Sequence, residues 1–157
     1  MKITYCNGNL LDAQTDVIAH QVNCQGVMGA GLAKQIRDKY PKLYREYQEE
    51  CIFEDPNKLL GICQLIKVET SKWIANLFGQ EYYGRDRRYT NYEAIYTALN
   101  SLAVQMLDNG MDSVAIPYNM SCGLAGGDWN IILAMIESPT VFGNTNITIE
   151  IWQLKQS

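Results

Sequence analysis

The chain has 157 residues, 47% apolar and 19% charged, which fits one folded domain with its own core and excludes a disordered chain. A net charge of −4 argues against broad adhesion to nucleic acid, which normally needs a basic face. No apolar run reaches membrane-spanning length, and the opening MKITYCNGN carries no signal-peptide core, so a cytoplasmic protein without membrane contact is expected.

In chain order, KITYC (2–6) reads as a strand stopped by the turn signal NGN. DVIAHQVN (16–23) is apolar on both faces, as a strand buried between two layers is. Three glycines within six residues (Gly26, Gly29, Gly31) then precede a helix through GLAKQIRDKY, and Pro41 opens a second helix, PKLYREYQEEC. After the turn-prone EDPNK, LGICQLIKV and KWIANLF read as strands joined by ETS. Residues 90–110 form the longest helical pattern, with Ile95, Leu99, Leu102 and Met106 as its stripe and Asn109-Gly110 as its stop. SVAIP is a short buried strand. A loop, YNMSCGLAGG, leads into a helix from about Asp128 to Glu137, and ITIEIWQL closes the chain as a strand. This alternation predicts a single α/β domain over residues 1–157: a three-layer α/β/α sandwich with a mixed, mostly parallel central sheet.

In such folds ligands sit beyond the carboxyl ends of the strands. The loops Gly26–Gly31 and Gly123–Gly127 each follow an apolar strand and precede a helix, so both should open on one edge of the sheet. Unpaired N–H groups and the helix dipole make such entrances favourable to anions, and glycine lets backbone approach closely. A phosphate cradle and a plain turn both fit the first loop. It is not a dinucleotide fingerprint, because Lys34 stands where the third glycine would fall, and no Walker lysine is present.

AHQVNCQGVMGAGLA (19–33) followed by IPYNMSCGLAGGDW (116–129) resembles the macrodomain family, closest to the branch of ADP-ribose-1''-phosphate phosphatases and ADP-ribosyl hydrolases. The resemblance runs from ITYCNGNLL to ITIEIWQL. It implies binding of ADP-ribose or a derivative without cofactor, with ADP-ribosylated protein or nucleic acid as possible partners. Position by position, it assigns Asn9 and Leu10 to adenine, with asparagine where the family commonly has aspartate, and Asn23 to the distal ribose. Gly29, Ala30, Gly31 and Leu32 match the first diphosphate loop. Asn119, Met120, Ser121, Cys122, Gly123, Leu124, Ala125, Gly126 and Gly127 match the second, and Leu154 falls on the adenine side.

Relatives with a covalent mechanism use a lysine and an aspartate. Here the lysine's region, YYGRDRRYTNYE, has no lysine, and the aspartate position is Ala125, which argues against a lysine-linked intermediate. Asp128 is the first acid–base candidate and His20 the second, and Asp128 is also an apt N-cap for the following helix. His20 matches a histidine of the phosphatase-like relatives, but it sits three residues before Asn23 in a strand, so the two side chains should point to opposite faces. It is equally readable as a satisfied buried histidine.

Arg85, Arg87 and Arg88 are able to clamp a terminal phosphate or modified nucleic acid; a solvated cluster around Asp86 is the preferred reading. Tyr82 and Tyr83 suit stacking on a ribose or base, or ordinary half-buried loop positions. Cys122, without a neighbouring base, is not expected to be a nucleophile. Five scattered cysteines with one histidine give neither a disulfide framework nor a metal site. The expected reaction is hydrolysis of the phosphate of ADP-ribose-1''-phosphate by water. The alternatives are release of ADP-ribose from protein or nucleic acid, and a non-catalytic reader of ADP-ribose.

Overall fold

The computed structural model describes residues 1–123 and 125–154. Its strands are β1 (Lys2–Asn7), β2 (Val17–Val22), β3 (Cys63–Glu69), β4 (Lys72–Phe78), β5 (Ser113–Pro117) and β6 (Thr148–Gln153). They form one sheet in the order β1-β6-β5-β2-β4-β3. Every pairing is parallel except β3 with β4, so the sheet is mixed and mostly parallel, as expected. The short ETS connection dictates that one antiparallel pair, since a parallel return needs a longer crossover.

Two apolar layers sandwich the sheet. Along β2, Val17 and Ala19 join one cluster, and Ile18 and Val22 the other. This explains why the strand carries no polar-out alternation. Helices α1 (Gly31–Lys39) and α2 (Pro41–Phe53) cover one face through Ile36, Leu43 and Tyr47. Helices α4 (Tyr92–Asp108) and α5 (Trp129–Glu137) cover the other through Ile95, Leu99, Leu102, Ile132 and Ile136. Each fully buried side chain of this size contributes roughly 1.5–3 kcal/mol of transfer free energy.

Three local differences from the sequence expectation have physical reasons. Helix α4 starts at Tyr92 rather than Thr90, because Asn91 is the N-cap, its Oδ1 accepting from Ala94 N at 3.0 Å. The turn-prone EDPNK contains a short helix, α3 (Pro56–Leu59), capped by Asp55. Pro139–Gly143 forms a π-helical turn that buries Val141 and Phe142. Strands β2 and β5 are parallel neighbours, so the loops that leave them open on the same edge of the sheet.

Candidate functional site

The first loop is shaped by Asn23. Its Nδ2 donates to Val27 O at 2.8 Å, and its Oδ1 accepts from Gln25 N at 2.9 Å. The Tyr47 hydroxyl reaches Asn23 O at 2.6 Å and Oδ1 at 2.8 Å. These bonds turn the chain back toward the sheet edge and deliver it to α1. That helix begins without a side-chain cap: Ala30 holds the N-cap position and Gly31 has φ +56°. The first N–H groups of α1 are thus left for a ligand, and the residues bearing them, Gly31, Leu32 and Ala33, line a cavity.

The second loop holds two non-glycine residues at positive φ, Asn119 at 61° and Ser121 at 71°. Such backbone costs about 1–3 kcal/mol per residue and persists only when its surroundings determine it. At Ser121 the determinant is Gln21, near the end of β2. Ser121 Oγ donates to Gln21 Oε1 at 2.6 Å, while Gln21 Nε2 donates to Gln80 Oε1 at 2.7 Å and Thr90 Oγ1 at 3.1 Å. Thr90 Oγ1 in turn donates to Ser121 O at 2.6 Å. Gly79 is required beside this network, since a Cβ there would lie 2.3 Å from Gln21 Oε1. Gly127 is required as well: its N–H donates to Ser121 O at 2.8 Å, and a Cβ would meet that oxygen at 2.5 Å.

Between the loops runs one cleft in three connected parts, with Leu32 bordering all of them. The central part, about 530 Å³, is lined by Asn23, Gly29, Ala30, Gly31, Gln21, Gln80, Tyr83, Arg85 and Ala125. A second part of about 260 Å³ adds His20, Tyr118, Asn119, Met120, Ser121 and Gly123. The third, about 250 Å³, is walled by Asn9, Leu10, Trp152 and Leu154. Cys122, Gly126, Gly127 and Asp128 are not among the lining residues. Leu124 lies outside the described residues.

The Macro domain family model matches residues 19–136. The chain belongs to the Macro domain family. A DNA ADP-ribosyl glycohydrolase of Mycobacterium tuberculosis is 45% identical over 49 residues, which span 31% of this chain and only 14% of that protein. An ADP-ribose 1''-phosphate phosphatase of Meyerozyma guilliermondii is 25% identical over 173 aligned residues, covering 93% of this chain and 98% of its own. The solved macrodomain of Mycobacterium tuberculosis DarG superposes with a TM-score of 0.79 at 25% identity, covering 96% of each chain.

The acid–base candidates of this macrodomain differ in placement. His20 Nε2 lies 2.6 Å from Asn76 Oδ1, and Asn76 Nδ2 donates to Gln64 Oε1 at 3.1 Å. Because the amide presents its oxygen, His20 carries its proton on Nε2 and keeps Nδ1 as an acceptor. Burial pulls its pKa down to about 4, against the raising effect of the Asn76 bond, so the ring is neutral at pH 7. His20 and Asn23 do not point to opposite faces. Both turn toward the α2 side, because β2 ends at Val22 and strand alternation no longer governs Asn23.

Asp128 caps α5, its Oδ1 accepting from Asn130 N at 2.9 Å. Burial, then the charge of Asp128, pushes the Cys122 thiol up to about 11, which keeps it protonated at neutral pH. Asn9 Oδ1 accepts from Leu11 N at 3.0 Å; the oxygen retains a second lone pair. Among the described residues no group of three or more His, Cys, Asp or Glu is placed to hold a metal ion. No described helix is long and apolar enough to cross a membrane. Sequence reasoning missed Gln21, Gln80, Tyr118 and Trp152 in the cleft wall. For Gln21, the one available signal was a polar residue interrupting an apolar strand next to a glycine loop.

Proposed function

We propose that this macrodomain binds ADP-ribose along the cleft and hydrolyses the phosphate of ADP-ribose-1''-phosphate. The observation that carries the binding reading is that Leu32 and Ala33, in the uncapped first turn of α1, line one cavity together with Asn119 and Ser121 of the strained second loop, with the unpaired N–H groups of α1 at a space for a diphosphate. Adenine occupies the end walled by Trp152 and Leu154, with the free lone pair of Asn9 Oδ1 accepting from its amine. The distal ribose lies beside Asn23, in the central part that Arg85 also lines.

In the reaction, water adds to the phosphorus of the 1''-phosphate and the phosphorus–oxygen bond to the ribose breaks, releasing inorganic phosphate and ADP-ribose. His20 Nδ1, a neutral acceptor in the wall of the adjoining part of the cleft, orients that water where the two parts meet along Gln21, Gln80 and Ala125, and backbone N–H groups stabilise the charge that develops. Asp128 acts through the second loop that its cap anchors. Phosphate release from ADP-ribose-1''-phosphate tests this: the wild type should release phosphate and His20→Gln should be at least about tenfold slower. No release by the wild type would sink the phosphatase reading while leaving the binding reading intact.

The 45% match to a DNA ADP-ribosyl glycohydrolase supports a second reading, removal of ADP-ribose from nucleic acid by water. Release of ADP-ribose from a modified oligonucleotide distinguishes it. Binding without turnover on either substrate would leave a reader of ADP-ribose.

A further inference from the structure

The segment 81–89 separates two concavities. On one side Tyr83 and Arg85 line the cleft; on the other, Tyr82, Arg87, Arg88 and Tyr89 line a separate groove of about 210 Å³. Nothing in the proposed reaction uses that groove. Yet two arginines, Arg87 and Arg88, line it, with Arg85 two residues earlier on the cleft side, in a chain whose net charge is −4. Asp86, the acid in their midst, accepts from the Tyr89 hydroxyl, and among the described residues no ion pair engages any of the three arginines. Instead the Arg87 guanidinium sits 5.0 Å from the Tyr89 ring centroid and that of Arg88 4.6 Å from the Tyr92 centroid. Stacked in this way, a guanidinium is held in place; Arg87 also sits close enough to the Tyr89 hydroxyl and the Asp86 carboxylate to act on both, and its planar fork of five donors leaves others for an oxyanion.

The backbone beneath is fixed as well: Tyr89 N and Thr90 N both donate to Ala125 O, at 2.7 and 3.1 Å. Beside the arginines, Tyr82 is 50% exposed, a large flat ring presented to solvent. Guanidinium edges next to an exposed ring match a chain that alternates phosphates with aromatic bases. An acidic peptide would supply the charge but no face for the ring. Glu81, in the same lining, repels a polyanion, which leaves Arg87 and Arg88 as the groups that hold its phosphates.

We infer that this groove is a docking surface for single-stranded nucleic acid, with phosphates on Arg87 and Arg88 and a base on Tyr82. Only the further step, that the docked strand carries the ADP-ribose lying in the cleft, rests on the ADP-ribose reading.

The test is fluorescence anisotropy of a labelled short oligothymidylate against wild type, Arg87→Gln/Arg88→Gln and Tyr82→Ser. Two phosphate contacts predict roughly a sevenfold loss of wild-type affinity between about 50 and about 200 mM salt. The double variant should bind about tenfold more weakly at low salt and lose most of that salt sensitivity. Tyr82→Ser should weaken binding about fivefold or more with the salt sensitivity retained. ADP-ribose titrated into the same proteins should bind the wild type and the double variant alike, which checks the fold and reports separately on the cleft. The inference is overturned if the wild type does not bind the strand at low salt or if the double variant binds it equally. Displacement by polyglutamate as effective as by unlabelled oligothymidylate would overturn it too, marking the groove as a generic acidic-partner surface.

Discussion

At His20 the fold places a titratable ring where a charge is poorly solvated. Its folded pKa of about 4 lies below its ordinary value of 6.5, because burial outweighs the Asn76 hydrogen bond. The unfolded chain therefore takes up a proton first as pH falls. Stability is intact above pH 6.5 and is lost progressively toward pH 4, by up to roughly 3 kcal/mol. Urea unfolding across that window should show a steeper decline for the wild type than for His20→Gln; equal declines would contradict this account of the ring. The sequence alone left a catalytic and a satisfied histidine equally open. What decides its surroundings is the in-register alignment of His20, Asn76 and Gln64 across β2, β4 and β3, and no local pattern announces cross-strand register.

Elements carry the next set of consequences. Helix α5 depends on Asp128 for its cap, so Asp128→Ala should destabilise the protein by about 1 kcal/mol while Asp128→Asn costs little. Turnover measured on the stable asparagine variant then separates the cap from chemistry: retained activity is expected, and its loss would make Asp128 a catalytic residue. The second loop depends on Gln21 in the same sense. Gln21→Ala leaves Ser121, Thr90 and Gln80 without their shared partner and should cost about 1–3 kcal/mol by chemical denaturation, with ADP-ribose affinity down roughly tenfold. Unchanged affinity would mean that the loop holds its conformation without this anchor. The glycine loops were legible in the sequence because positive φ at Gly26, Gly31 and Gly126 and the close approach of Gly127 to Ser121 O demand that residue type. Gln21 was not, since its partners lie 59, 69 and 100 residues away along the chain. The π-helical turn at Pro139–Gly143 was equally invisible, because short apolar turns share no repeat with helix or strand.

For the molecule as a whole, the decisive fact is that β5 lies directly beside β2. That adjacency brings two loops, distant in sequence, to face each other and sets the β1 and β6 ends, with Asn9, Trp152 and Leu154, at one end of the same cleft. Runs of apolar residues between glycine-rich turns made the strands and the sandwich readable. The strand order was not readable, since periodicity says nothing about which strands are neighbours. The resulting site is long, donor-rich in the middle and aromatic at one end, a shape suited to a ligand with a nucleoside, a diphosphate and a second sugar. Isothermal titration calorimetry of ADP-ribose, with ADP and AMP as controls, tests this claim most directly. Affinity for ADP-ribose at least about tenfold above that for ADP, and higher still above AMP, is the predicted result. Equal affinity for ADP-ribose and ADP, or no heat with any of the three, would contradict it.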